Sequence, residues 1–428
     1  MFCRRLENTE QQLHQAKRQQ DRKKKYPETR RMHMSCKFDT VIDRKGTMSL
    51  KYDFAKERGR KEGILPLWVA DMDFMTCEPV LQRLKKIVDH GIFGYSESGD
   101  AYFDAVCGWY KNHFGWETSR EWITKTPGVV FALAMAVRAF TEKGDAVLIQ
   151  QPVYYPFSEV IKDNDRVLVN SPLKQVNGHY EIDFDAFEQA VRENSVKLFL
   201  LCSPHNPVGR VWETWELEKI GEICLKYGVK VVSDEIHSDF TWGGHVHHVF
   251  ASLKPEFADI TVTCTAPSKT FNLAGLQVSN IFISNREMRK KFRHEVAAAG
   301  YSQVGLMGLA ACQAAYEEGG EWLTEVKKYL EDNIRYTEEF IAEKLPQLRF
   351  TKPEGTYLVW IDFRALNLSE PELKELIEEK AGLWLDSGAM FGPDGEGFER
   401  INIACPRKTL ETALLKLEAA VNGRTEKE

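Results

Sequence analysis

The chain has 428 residues, with 43% hydrophobic and 28% charged, enough for one large and one smaller soluble domain. A formal net charge of −6 argues against a nucleic-acid-binding surface, which needs a basic field, and no apolar run approaches a membrane span. The nine cysteines are odd in number and lack paired or metal-ligand spacing, so they read as reduced thiols of a cytoplasmic protein with no metal site.

Residues 1–33 are polar and basic, with almost no large apolar side chains, and read as a disordered extension. Met32 or Met34 is the expected working start. Residues 34–75 form an N-terminal segment that ends in ILPLWVADMDF. Asp71 and Asp73, two residues apart with no histidine nearby, fix no metal geometry and suit a turn or cap. A helix is expected over about 79–89, then the glycine-flanked aromatic turn 91–95, then a helix over about 99–114.

The large domain is assigned to 76–315. Near Thr124 a strand runs into Pro127-Gly128 and then the apolar helix VVFALAMAVRAF. A glycine at a helix mouth leaves the first free amides, here Gly128, Val129 and Val130, able to face a phosphate; by itself that is common turn chemistry. Strands at 146–150, 166–171, 196–202, 229–233, 260–264 and 278–284 follow, separated by helices such as 183–194 and 213–228. Near-continuous apolar strands between amphipathic helices predict an α/β fold with a mostly parallel seven-stranded sheet covered on both faces. After Gly305 a long helical region, broken at Gly319-Gly320, leads into residues 316–428, a smaller α+β domain. Its strands are expected in LRFTK, TYLVWIDF, LWLDS and RINIAC, with helices over 370–381 and 408–422.

Three strands of the large domain run into distinct polar residues: 196–202 into Asn206, 229–233 into Asp234, and 260–264 into Ser268-Lys269. Ligands of open parallel sheets bind beyond the carboxyl ends of the strands, so an amide, a carboxylate and an amine should meet in one crevice. Each alone has an ordinary explanation: a turn residue, a helix cap, a surface lysine. Together with the Gly128 helix entrance they fit pyridoxal phosphate. Lys269 would form a Schiff base with its aldehyde, Asp234 would pair with the ring nitrogen, and Asn206 would donate to the ring oxygen. Tyr154 would cover the ring face, and Arg400 would take a substrate carboxylate with its planar fork.

S-P-H-N-P-V-G, S-D-E-I-H and A-P-S-K-T-F-N-L-A-G-L-Q resemble the pyridoxal-phosphate fold type I (aspartate aminotransferase) superfamily. W-V-A-D-M-D-F, F-G-Y-S, P-V-Y-Y, P-E-G-T-Y and R-I-N-I-A-C-P-R resemble its MalY/PatB branch of cystathionine β-lyases and cysteine C–S lyases. The resemblance runs from about Phe38 to the last helix. It implies a homodimer with active sites at the interface, where Tyr95 reaches the neighbour's cofactor phosphate. Many aminotransferases carry a tyrosine where His237 stands, a hydroxyl where Ala266 stands and an arginine where Gln277 stands. His237 is therefore taken as a cofactor contact, and phosphate binding is expected to lean on Ser268, the helix amides and Tyr95. No second arginine motif of the kind that reads a side-chain carboxylate is found. His245, His247 and His248 are read as solvated loop histidines.

The expected activity is β-elimination of L-cystathionine or related cysteine S-conjugates, with Lys269 taking the Cα proton. An aminotransferase shares every step up to the carbanion and is the alternative. A regulatory binding protein on the same fold is a weaker one, since the polar arm is too short for a DNA-binding domain.

Overall fold

The computed structural model describes residues 37–425, so the basic arm lies outside the described residues. Seven strands form the large sheet: β1 (Ile123–Thr126), β2 (Ala146–Ile149), β3 (Val167–Asn170), β4 (Leu198–Cys202), β5 (Lys230–Asp234), β6 (Thr261–Thr265) and β7 (Ser279–Phe282), in the order β1-β7-β6-β5-β4-β2-β3. β7 runs antiparallel to both of its neighbours, and every other pairing is parallel. All five residues of β4 and all five of β6 are buried, as a strand covered on both faces requires. The expected fold class, α/β with a mostly parallel seven-stranded sheet, is the fold observed.

Helix Leu306–Glu318 leads through Gly319 into the 25-residue helix Gly320–Lys344. Gly319 tolerates no side chain, because a Cβ there would stand 2.4 Å from both the Ala315 carbonyl and the Phe271 ring. Beyond it an antiparallel four-stranded sheet is built from β8 (Arg349–Thr351), β9 (Leu358–Asp362), β10 (Asp386–Ser387) and β11 (Phe398–Asn402), in the order β8-β9-β11-β10.

Four local features differ from expectation. The strand anticipated in LWLDS divides: Leu383–Trp384 pairs in parallel with Leu65–Pro66, and only Asp386–Ser387 joins the sheet. The helix anticipated over 370–381 is α-helical for Glu370–Lys374 and then widens to a π-helix over Glu375–Lys380. Helix Arg286–Ala298, capped by the Asn285 side chain, was not anticipated. Nor was the hairpin Lys174–Val176 with His179–Glu181, although its Asn177-Gly178 turn, with φ of 53° and 87°, is a standard sequence signal for one.

Asp71 and Asp73 are not turn or cap residues. Arg44 Nη2 and Nη1 reach Asp71 and Asp73 at 2.7 Å each, and the buried Lys51 reaches Asp73 at 3.0 Å. Two carboxylates facing two cations pin the N-terminal loop to the segment Trp68–Phe74. Asn402 and Asn272 hold that segment from the other side through backbone contacts at Val69, Asp71, Met72 and Phe74. The sequence could not show this, because the partners stand 20 or more positions apart.

Candidate active site

The carboxyl ends of β4, β5 and β6 lie level, with Cys202 opposite Asp234 and Asp234 opposite Cys264. That alignment delivers Asn206, Asp234 and Lys269 to one sheet edge. They line a cavity of about 300 Å³ together with His237, Tyr154, Arg400, Ser268, Gly128, Val129 and Val130. Of the sequence-derived candidates only Tyr95 is absent from its lining; Tyr95 is fully exposed. A larger groove of about 610 Å³ between the 174–181 hairpin and residues 350–354 contains none of them.

Lys269 sits in a four-residue helical turn, Pro267–Thr270, opened by proline at the end of β6. Its Nζ donates to the Ala70 carbonyl at 2.8 Å, and the Tyr357 hydroxyl donates to the same oxygen at 3.0 Å. Burial pulls the ammonium down to about 8; Asp71 opposes this, Arg400 reinforces it, and Asp234 opposes it more weakly. An amine near 8 is neutral often enough to attack a carbonyl.

Asp234 is buried, and the one hydrogen bond of its carboxylate among the described residues is accepted from the Ile236 N–H at 3.1 Å. Burial pushes its carboxyl up to about 7, with the Ile236 N–H and Lys269 resisting. A buried carboxylate with no ion-pair partner among the described residues is costly unless a cation arrives. His237, also buried, has its Nδ1 without a partner, and burial, then the charges of Lys269 and Arg400, hold it neutral.

Arg400 is buried on β11. Its Nη1 donates to Asn206 Oδ1 at 3.0 Å, its Nη2 donates to the Trp68 carbonyl at 2.8 Å and to Asp386, and its Nε has no partner. Asn206 thus turns its oxygen toward the arginine, leaving its amide N–H groups for a different acceptor. Helix Val129–Phe140 begins at Gly128 with no side-chain cap and no acid in its first turn, so its leading amides are open to an anion. The residues therefore suit pyridoxal phosphate in detail: an orphaned carboxylate for a protonated ring nitrogen, an uncapped helix for the phosphate, and an amine for the aldehyde.

Sequence reasoning missed Ala70, Tyr357, Trp68 and Asp386, which come from the N-terminal segment and the smaller sheet. A backbone carbonyl carries no side-chain signal, and nothing local to Asp386 announces its arginine. His247 was misread. It is buried against Glu235 at 2.9 Å, and Glu235 also accepts from Ser233 and the Phe250 N–H, so the pair locks the loop behind β5. Among the described residues no cluster could hold a metal, no helix is long and apolar enough to cross a membrane, and seven cysteines are free.

A family model described as aminotransferase class I and II matches residues 62–417. The cystathionine β-lyase PatB of Bacillus subtilis is 47% identical over 385 residues, covering 90% of this chain and 100% of that protein. Protein MalY of Escherichia coli is 32% identical, covering 90% of this chain and 99% of its own length. Among solved structures, cystalysin from Treponema denticola, containing pyridoxal 5'-phosphate, superposes with a TM-score of 0.88 at 40% identity, over 90% of this chain and 99% of that one. The pyridoxal-phosphate-bound C–S lyase from Staphylococcus hominis gives 0.84 at 35% identity, over 90% and 97%.

Proposed function

The chain belongs to the aminotransferase class I and II family, and from that premise we propose that it is a pyridoxal-phosphate-dependent carbon–sulfur lyase cleaving L-cystathionine or related cysteine S-conjugates. With water, cystathionine yields homocysteine, pyruvate and ammonia. What carries elimination over transamination is the near-half identity along the whole length of a cystathionine β-lyase.

Pyridoxal phosphate, when bound, draws electrons away from the Cα of the attached amino acid. The chain's residues do the rest. Asp234 would hold the ring nitrogen protonated, and Asn206 would donate to the ring oxygen. Tyr154 would cover the ring, and His237 would be a further contact to it. The amides of Gly128, Val129 and Val130, with the Ser268 hydroxyl, would take the phosphate. Arg400, whose Nε has no hydrogen-bond partner among the described residues, would take the substrate α-carboxylate. The Lys269 amine, lowered to about 8, removes the Cα proton. Loss of the thiolate from Cβ follows, and a proton from the lysine ammonium can accompany it.

We also take the homodimer, with Tyr95 given to the partner's phosphate site, the cytoplasmic location, and the division into 34–75, 76–315 and 316–428 as proposals. The pairing of Leu65–Pro66 with Leu383–Trp384 supports joining the first segment to the smaller domain. The test is pyruvate release from L-cystathionine by purified holoenzyme with no keto acid added. Stoichiometric pyruvate and free thiol are expected; conversion of cystathionine to its own 2-oxo acid, without thiol and only when an acceptor 2-oxo acid is supplied, would make the protein an aminotransferase instead.

A further inference from the structure

Trp68, which lines the active-site cavity, belongs to a stack of four side chains. The Trp68 and Trp384 rings lie face to face, 4.4 Å apart and 13° from parallel. Arg58 covers the Trp68 ring at 5.4 Å, and Arg60 covers the Trp384 ring at 5.4 Å. The two arginines differ in one respect. Arg60 has a carboxylate partner, Glu378, at 3.3 Å, whereas Arg58 is exposed and has no ion pair or side-chain hydrogen bond among the described residues. Stacking fixes the plane of a guanidinium and leaves its in-plane N–H groups free for an acceptor.

The loop that presents Arg58 is built rather than loose. Asp53 accepts from the Gly46, Thr47 and Ser49 N–H groups, Lys51 is buried on Asp73, and the Arg60 N–H returns to the Ala55 carbonyl at 2.8 Å. Trp68 itself joins the two ends of the site. Its carbonyl accepts from Arg400, the candidate α-carboxylate residue, the residue lines the cavity, and its ring carries Arg58. The field of Arg58 reaches the cavity wall, where it opposes the upward push of burial and Asp386 on the Tyr155 hydroxyl.

We propose that Arg58, held on the Trp68 ring, is a specificity-determining residue that binds a carboxylate on the leaving-thiol half of the substrate. The enzyme thereby favours cysteine thioethers whose departing thiol carries its own carboxylate. This rests on the lyase reading of the site and names its substrate class. In such a molecule a five-bond thioether chain, Cα–Cβ–S–Cγ–Cβ–Cα, separates the two Cα-type ends by about 7 Å when extended, the length of two residues. One tryptophan residue spans Arg400 and Arg58. No sequence motif announced this second arginine, because it is brought to the cavity by a tryptophan ten positions away and a ring from the other end of the chain.

The test compares S-(2-carboxyethyl)-L-cysteine, its uncharged counterpart S-propyl-L-cysteine and the cationic S-(2-aminoethyl)-L-cysteine. The unaltered holoenzyme should show a higher kcat/KM for the carboxyethyl than for the propyl thioether. In Arg58→Gln, whose planar amide can still stack, that ratio should fall about five- to tenfold, carried by KM. In Arg58→Glu the aminoethyl thioether should become the better substrate. Ratios unchanged in both variants, or equal losses on all three thioethers, would overturn the proposal. Calorimetric titration of Lys269→Ala holoenzyme with the same compounds, with and without Arg58→Gln, separates this from the lyase reading. If no thioether releases pyruvate, the lyase reading fails, and preferential association of the carboxyethyl compound, lost with Arg58, still decides the role of Arg58.

Discussion

At the scale of single residues the account rests on two groups whose protonation burial has displaced in useful directions. Lys269 titrates near 8, so below that pH each unit removes about tenfold of the neutral amine. Uptake of pyridoxal phosphate by cofactor-free protein should therefore rise with pH and level off above about 8; stopped-flow absorbance reads it directly. Asp234 behaves oppositely. Its carboxyl is raised from 3.8 to about 7, so in the cofactor-free protein it contributes stability that is complete below the lower value and lost as pH climbs through the upper. Cofactor-free protein should melt at lower temperature at about pH 8 than at about pH 5, and Asp234→Asn should flatten that part of the slope. With cofactor bound, the same substitution should reverse sign and weaken both binding and turnover. Arg400→Lys keeps the charge but loses the fork, and should raise KM for every cysteine conjugate by about tenfold or more. A change in kcat alone would place the arginine elsewhere in the mechanism.

Among the elements, the N-terminal segment does more than its sequence suggests. It provides the Ala70 carbonyl that orients the lysine, the Trp68 carbonyl that orients Arg400, and the carboxylates that bury Lys51. Lys51→Ala leaves the buried Asp73 carboxylate with Arg44 and Tyr52 as its hydrogen-bond partners among the described residues. A loss of about 3 kcal/mol in urea unfolding is expected, with a parallel loss of activity. Unaltered stability would mean that Arg44 alone neutralises both carboxylates. The strands of the large sheet were legible because buried parallel strands are written as apolar runs, and each run's polar terminus marked the functional edge. Asn206, Asp234 and Lys269 could be placed together on that basis. The N-terminal tether and the split of 383–387 could not be read, since both are set by partners far along the chain. The buried His247–Glu235 pair escaped for the same reason: a histidine in a glycine-flanked loop looks solvated until the fold closes over it.

For the whole molecule, the exposed run Ile92, Phe93 and Tyr95, at 67%, 62% and 100%, stands on the turn that the resemblance assigns to a subunit contact. Sedimentation equilibrium should give twice the 49.2 kDa of one chain. Tyr95→Phe should speed loss of the cofactor without dissociating the dimer; a monomeric active enzyme would remove the shared-site proposal. In the proposed mechanism one amine, Lys269, carries the cofactor. Borohydride reduction of the holoenzyme followed by peptide mass mapping tests it most directly. A single reduced pyridoxyl adduct on Lys269 is expected; an adduct on another lysine, or none on a protein that turns over cystathionine, would rule that role out.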